Sequence, residues 1–110
     1  MGNTPNYADV VTGTLKRTLS QHEAMYHYDN LLGELTEQWN VAYRTQDNFT
    51  TAVLFNVGRD KLEELGPEDM FVGVSKRNAE DRNLPIRGRS LALSRAVHAL
   101  LMERLESFRS

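Results

Sequence analysis

The chain of 110 residues contains no cysteine. This absence excludes a disulfide framework, catalysis by a thiol and a zinc site with cysteine ligands. Proline is scarce as well, with three residues, while the hydrophobic and charged fractions of 40% and 25% are those of an ordinary globular protein. The length fits one domain that buries a hydrophobic core of its own.

Long apolar runs are also missing from the sequence. No segment approaches the roughly 18 consecutive apolar residues that a membrane-spanning helix needs. The first residues, MGNTPNYADVV, lack the basic and apolar regions of a signal peptide. We therefore expect a cytoplasmic protein that does not bind membranes.

Sequence motifs of catalysis are absent too. There is no glycine-rich phosphate loop, no nucleophile elbow and no zinc-hydrolase motif. His22 and His27 would lie about 140° apart around a helix, too far apart to share a metal ion, and His98 borders the apolar stripe of the last helix. We expect packing or surface roles for these histidines, and a protein that is not an enzyme, with no catalytic residue, metal or cofactor.

The first forty residues predict one certain helix and one ambiguous segment. In residues 1–19, Pro5 favours a short helix, whereas Gly13 and several β-branched residues favour an irregular arm, so both interpretations stay open. Ser20 and Glu23 have the spacing of a capping box, which predicts that a helix begins at Gln21 and starts the domain proper, residues 20–110. Its expected apolar stripe consists of Ala24, Met25, Tyr28, Leu31, Leu32 and Leu35.

From residue 38 the apolar period changes from that of a helix to two, which predicts strands. Asp47-Asn48 is a plausible tight turn between a first strand and a return strand over residues 49–57. A third strand, residues 70–75, is expected to pair with the second, after a helical turn or two within residues 59–65. The aromatic residues expected to pack together beneath the helices are Trp39, Tyr43, Phe49 and Phe55.

The C-terminal segment predicts a final amphipathic helix that begins near Ser90. Its expected buried positions are Leu93, Val97, Leu100, Leu101, Leu105 and Phe108. The predicted order is helix, three strands, helix (αβββα). We expect a two-layer α+β domain in which a three-stranded antiparallel sheet carries the helices on one face.

Positive charge is concentrated between the third strand and the last helix. Residues 1–74 have a net charge of −6 and residues 75–110 a net charge of +4. Guanidinium groups that converge on a helix N-terminus make a chemically sensible phosphate site. The alternative is that these cations pair internally with Glu80, Asp81 or the acidic half of the chain. The predicted anion-binding residues are Lys76, Arg77, Arg82, Arg87 and Arg89.

Two resemblances extend this interpretation. From Ser20 onward the element order resembles the double-stranded RNA-binding domain, and the run GVSKRNA at residues 73–79 is similar to that family's passage from third strand to basic helix start. The resemblance implies binding of duplex RNA. Two departures argue against that ligand: Asn83, Pro85 and Gly88 place a loop before Ser90, and the loop between the first two strands is short.

The segment of residues 73–100 is also similar to small orphan proteins of bacteriophages and actinobacteria. The shared pattern is a glycine, a basic pair, an acidic residue, a proline and a helix of the form RSLALSRAVHAL. This resemblance implies a phage or bacterial origin, the host cytoplasm as location, and a role in host takeover or defence evasion.

The sequence therefore favours a non-enzymatic binding module that engages an anionic partner through residues 76–89. That partner would be a nucleic-acid backbone, a nucleotide or an acidic protein surface. The alternative is a protein-interaction or inhibitor protein, in which the acidic and basic halves meet across a homo-oligomer or the chain acts on a host enzyme.

Overall fold

A computed structural model describes residues 4–57, 66–76 and 85–109, except for the side chain of residue 85. Three α-helices and three β-strands make up most of these residues, with short 3-10 helices at Met25–His27 and Pro67–Asp69. The six principal elements are α1 (Tyr7–Gln21), α2 (Tyr28–Glu37), β1 (Trp39–Gln46), β2 (Phe49–Asn56), β3 (Met70–Lys76) and α3 (Pro85–Arg109). The predicted turns within residues 59–65 lie outside the described residues.

The ambiguous N-terminal segment is a helix. The Asn6 side chain caps α1 by accepting a hydrogen bond of 3.1 Å from the amide of Asp9. Val11, Leu15 and Leu19 recur at intervals of four and are completely buried, because this stripe packs against α2 and α3. Tertiary packing therefore outweighs the poor helix propensity of the β-branched residues.

The predicted capping box at Ser20 is wrong, because Ser20 lies in the last turn of α1 rather than before the next helix. The Ala24 amide donates to the Leu19 carbonyl at 2.8 Å, and the Glu23 amide donates to the Ser20 carbonyl at 3.3 Å. This pair of bonds, with Glu23 at a φ of 53°, is a Schellman C-cap. The prediction that Met25 is buried is also wrong, since its side chain is 44% exposed.

The sheet follows the predicted meander, with strand order β1-β2-β3 and both pairs antiparallel. Gln46 pairs with Phe49 across the two-residue turn, in which Asp47 has a φ of 56°. The α+β class with a three-stranded antiparallel sheet is confirmed. The placement of every helix on one face of that sheet stays a prediction.

The long C-terminal helix packs against β2 and β3 through a close backbone contact. A Cβ atom added at Gly73 would lie 2.0 Å from the carbonyl oxygen of Ala92 and 2.5 Å from the amide nitrogen of Ala96. The helix can approach the strand this closely because Gly73 has no side chain and the facing residues are small.

Two predictions about α3 are wrong. It begins at Pro85 rather than near Ser90, because a proline fits the first turn of a helix, where its missing N–H would have had no helical partner. Phe108 is 47% exposed, since it lies at the end of the helix beyond the buried part of the stripe, whereas the other five predicted positions are buried.

The two faces of the sheet differ in burial. Ala52, Leu54, Gly73 and Ser75 point toward α3 and are buried. The opposite side, called here the outer face, carries Asn40, Ala42, Arg44, Gln46, Phe49, Thr51, Val53, Phe55, Met70, Val72, Val74 and Lys76.

No helix among the described residues is long and apolar enough to cross a bilayer.

The expected cluster of four aromatic rings beneath the helices is wrong for Phe49 and Phe55. Tyr43 pairs with Ala52 and Trp39 with Asn56, so the even-numbered residues of β2 share the face of Trp39 and Tyr43. Phe49 and Phe55 therefore lie on the outer face. Trp39 instead packs with its ring centroid 5.6 Å from that of Phe71 on β3.

Candidate anion-binding site

A hydrogen bond between β3 and α3 brings three of the predicted cations to one end of the sheet. The Ser75 hydroxyl donates to the carbonyl of Gly88 at 2.7 Å. A Cβ atom added at Gly88 would lie 3.2 Å from the hydroxyl of Thr50, so the first turns of α3 rest on β2 as well. Lys76 follows Ser75, and Arg87 and Arg89 flank Gly88, so all three lie near the hairpin end of the sheet.

Lys76 and Arg87 are the accessible members of this group. Both side chains are exposed, and the Lys76 ammonium lies 5.9 Å from the centroid of the Phe49 ring, within range of a cation–π contact. Arg87 lies in the first turn of α3, where the helix dipole is positive and no acidic residue is present. Neither residue forms an ion pair with another residue that the structure describes.

Arg89 has a different role from its neighbours. Its guanidinium lies 5.8 Å from the centroid of the half-buried Tyr43 ring. Burial raises the pKa of the Tyr43 hydroxyl, and the positive charge of Arg89 acts in the opposite direction. Arg89 therefore adds charge to the site while it packs on the inner side of the sheet.

The remaining predicted cations, Arg77 and Arg82, lie outside the described residues, as do Glu80 and Asp81. Whether those four pair with one another thus stays open. Together, Lys76, Arg87 and Arg89 are called here the cationic end.

Arg44 is a neighbouring cation that the sequence interpretation missed. It is exposed on β1, where it pairs with Thr51, which in turn pairs with Val74. That register puts Arg44 two residues from the hairpin turn, at the same end of the sheet as Lys76. The signal was in the sequence, because a two-residue turn after Gln46 fixes this register.

A second, aromatic site lies at the opposite end of α3. His22, Tyr26 and His27 line a cavity of about 360 Å³ together with Phe108. The His27 and Phe108 rings stack with centroids 4.0 Å apart, and Tyr26 is 79% exposed. The stacking of His27 on Phe108 was not predicted from the sequence. No cluster of metal ligands occurs among the described residues.

No protein-family model matches this chain, and neither a curated protein nor a solved structure matches it significantly. The two resemblances therefore rest on their sequence motifs alone.

Proposed function

We propose that this protein is a non-enzymatic binding module whose cationic end engages an anionic partner. The observation that carries the proposal is the Ser75–Gly88 hydrogen bond, because it fixes the acid-free first turn of α3, where Arg87 is exposed, at the same end of the sheet as exposed Lys76 on the outer face. Ammonium and guanidinium groups near free helix N–H groups suit phosphate or carboxylate oxygens.

The partner class is a nucleic-acid backbone, a nucleotide or an acidic protein surface, as these share the same anionic chemistry. Among these, a nucleic-acid backbone fits an open group of cations best, because the cationic end is spread along a strand end and a helix start rather than enclosed in a pocket. Arg44 extends the positive surface across the sheet. The resemblance to phage and actinobacterial proteins extends the proposal to a partner in a bacterial host.

The direct test replaces Lys76 and Arg87 together by glutamate and measures anisotropy of labelled single-stranded DNA, duplex RNA and ATP. We expect at least about a tenfold loss of affinity for the anion that the wild type binds, since two favourable charges become repulsive. Arg89 is left unchanged, because replacing it would disturb its packing on Tyr43.

A matched control carries Lys16→Glu and Arg109→Glu, two exposed cations that change the net charge by the same amount. Arg109 lies at the other end of α3 from Arg87. The control should bind like the wild type. Equal binding by wild type and Lys76/Arg87 variant, or equal losses in both double variants, would overturn the proposal.

A further inference from the structure

The outer face of the sheet is apolar and open to solvent among the described residues. Val72 at the centre of β3 is 51% exposed, and Met70, Val74 and Phe49 are each exposed by more than two fifths. The largest apolar patch on the surface of a soluble protein is often the one that contacts a partner. The outer face thus needs an explanation that the cationic end does not supply.

The strand register arranges this surface in rows across the three strands. Ala42, Val53 and Val72 form the central row, and Asn40, Phe55 and Met70 form the next row away from the hairpin. Phe49 and Phe55 are the only aromatic residues among the twelve of the outer face, so its central row offers no ring on which a nucleic-acid base could stack. The composition of the face favours a protein surface as its occupant.

The two ends of the outer face differ in net charge: the hairpin end has two exposed cations and one exposed carboxylate, that of Asp47 in the turn, whereas the other end is flanked by two exposed carboxylates. Arg44 and Lys76 are exposed at the hairpin end. At the other end, exposed Glu37 precedes β1 by two residues and exposed Glu68 precedes Met70 by two. If a second copy faces the first with its strands in the opposite direction, its negative end lies against the positive end of the first copy, so the surface is complementary to itself.

We propose that a second copy of this chain packs on the outer face, sheet against sheet, with its strands reversed. The two-fold axis would lie midway between the two sheets and run perpendicular to the strands. It would place Arg44 of one copy opposite Glu37 of the other, and Lys76 opposite Glu68. Val72 lies in the central row of that interface, on the edge strand β3. Two sheets of equal twist pack in this way about 10 Å apart with a rotation of about 30°.

The size of the face indicates how tight this association is. Three strands of about seven residues span roughly 14 Å by 23 Å, an area of roughly 320 Å². This area is smaller than the roughly 800 Å² that each partner buries in a standard interface. We therefore expect a weak dimer whose population depends on protein concentration. The inference does not rest on the proposed anion binding: Lys76 belongs to both surfaces, but Val72, which tests the interface, is uncharged and lies outside the cationic end.

The test is sedimentation equilibrium of the full chain from low to high micromolar concentration. Wild type should change from monomer to dimer, and Val72→Lys should raise the dissociation constant at least about tenfold by placing charge in an apolar interface. Leu91→Lys is the matched control, because Leu91 is an exposed apolar residue on α3. It should dimerise like wild type, and neither substitution should weaken anion binding.

Circular dichroism establishes that each variant folds. Val72→Thr keeps the β-branched shape of the side chain and should therefore raise the dissociation constant by less than Val72→Lys does. Lys76→Glu should weaken the dimer, and adding Glu68→Lys should restore it. A wild type that stays monomeric throughout, or a Val72→Lys variant that dimerises as well as wild type, would overturn the proposal. A failure of Glu68→Lys to restore association would overturn the reversed arrangement.

Discussion

Glu23 is one of two non-glycine residues with a positive φ in the part of the chain that the structure describes. It occupies the left-handed position of the Schellman cap that ends α1, with a φ of 53°. A residue with a Cβ atom costs about 1 kcal/mol or more in that conformation, whereas glycine adopts it freely. We predict that Glu23→Gly raises the free energy of unfolding by about 0.5–1 kcal/mol in urea denaturation. Glu23→Ala, which removes the carboxylate but keeps the Cβ atom, should give no such gain.

Tyr7 and Tyr43 form a pair of tyrosines with different hydrogen bonding. The Tyr7 hydroxyl donates to the carbonyl of Leu35 at 2.7 Å, whereas the buried Tyr43 hydroxyl has no hydrogen-bond partner among the described residues. Tyr7→Phe should therefore lower the free energy of unfolding at pH 7 by about 1 kcal/mol, and Tyr43→Phe by clearly less. Equal losses in urea denaturation would contradict this difference.

The same two hydroxyls predict how stability changes in alkali. Burial raises the pKa of both Tyr7 and Tyr43. Below the ordinary tyrosine pKa of about 10 both states are neutral; above it the unfolded chain ionises while the folded protein stays protonated, so the free energy of unfolding falls as pH rises. Tyr7→Phe should make that fall shallower in urea titrations between neutral pH and strong alkali. An unchanged slope would contradict the assignment to Tyr7.

The contact between β3 and α3 depends on a glycine. Because a Cβ atom at Gly73 would overlap backbone atoms of Ala92 and Ala96, the helix or the strand has to move to accommodate it. We predict that Gly73→Ala lowers the free energy of unfolding by about 3 kcal/mol, the upper end of what overpacking costs, because the atoms in the way are backbone atoms. Gly13→Ala on α1 is the control, because nothing lies within 4 Å of its added methyl group. That control should be neutral or stabilising by up to about 1 kcal/mol. A mild effect of Gly73→Ala in thermal unfolding would contradict the close contact.

The elements that the sequence predicted well are those in which one periodic signal stands alone. The alternation from Trp39 onward and the five buried apolar positions of α3 each follow one period, and no other local pattern there indicates a different structure. Ser20 shows the opposite case, because a capping pattern coincided with the last turn of a helix whose stripe at Val11, Leu15 and Leu19 packs in the core. Local capping energy is about 1 kcal/mol, less than the burial of such a stripe contributes.

The outer face and the position of Arg44 could have been predicted from the sequence. The sequence interpretation missed them because it put Phe49 and Phe55 on the same face of the sheet as Tyr43. A two-residue turn after Gln46 forces Phe49 and Phe55 onto the side opposite Tyr43, and it puts Arg44 on the outer face at the same end of the sheet as Lys76. The Ser75–Gly88 bond that gathers Lys76 and Arg87 could not be predicted, since it joins residues whose proximity depends on how α3 lies on the sheet.

At the scale of the whole molecule, two surfaces have separate roles in this account. The Arg104 guanidinium donates to Glu34 at 2.8 Å, and the Trp39 indole donates to the same carboxylate at 2.9 Å, so α2, α3 and β1 are held together. The hydrogen bonds to Glu34 also raise the pKa of Arg104. This framework leaves the cationic end and the outer face at the surface; the two share Lys76, and the centre of the outer face is apolar.

The most direct test of anion binding at the cationic end is the salt dependence of affinity for labelled single-stranded DNA. Each cation that contacts a phosphate contributes about 0.7 to the slope of log affinity against log salt concentration. Lys76→Gln and Arg87→Gln should each reduce the magnitude of the wild-type slope by about that amount, whereas Arg109→Gln should leave it unchanged. Slopes that are the same in the wild type and in all three variants would contradict the assignment of the cationic end as the binding site.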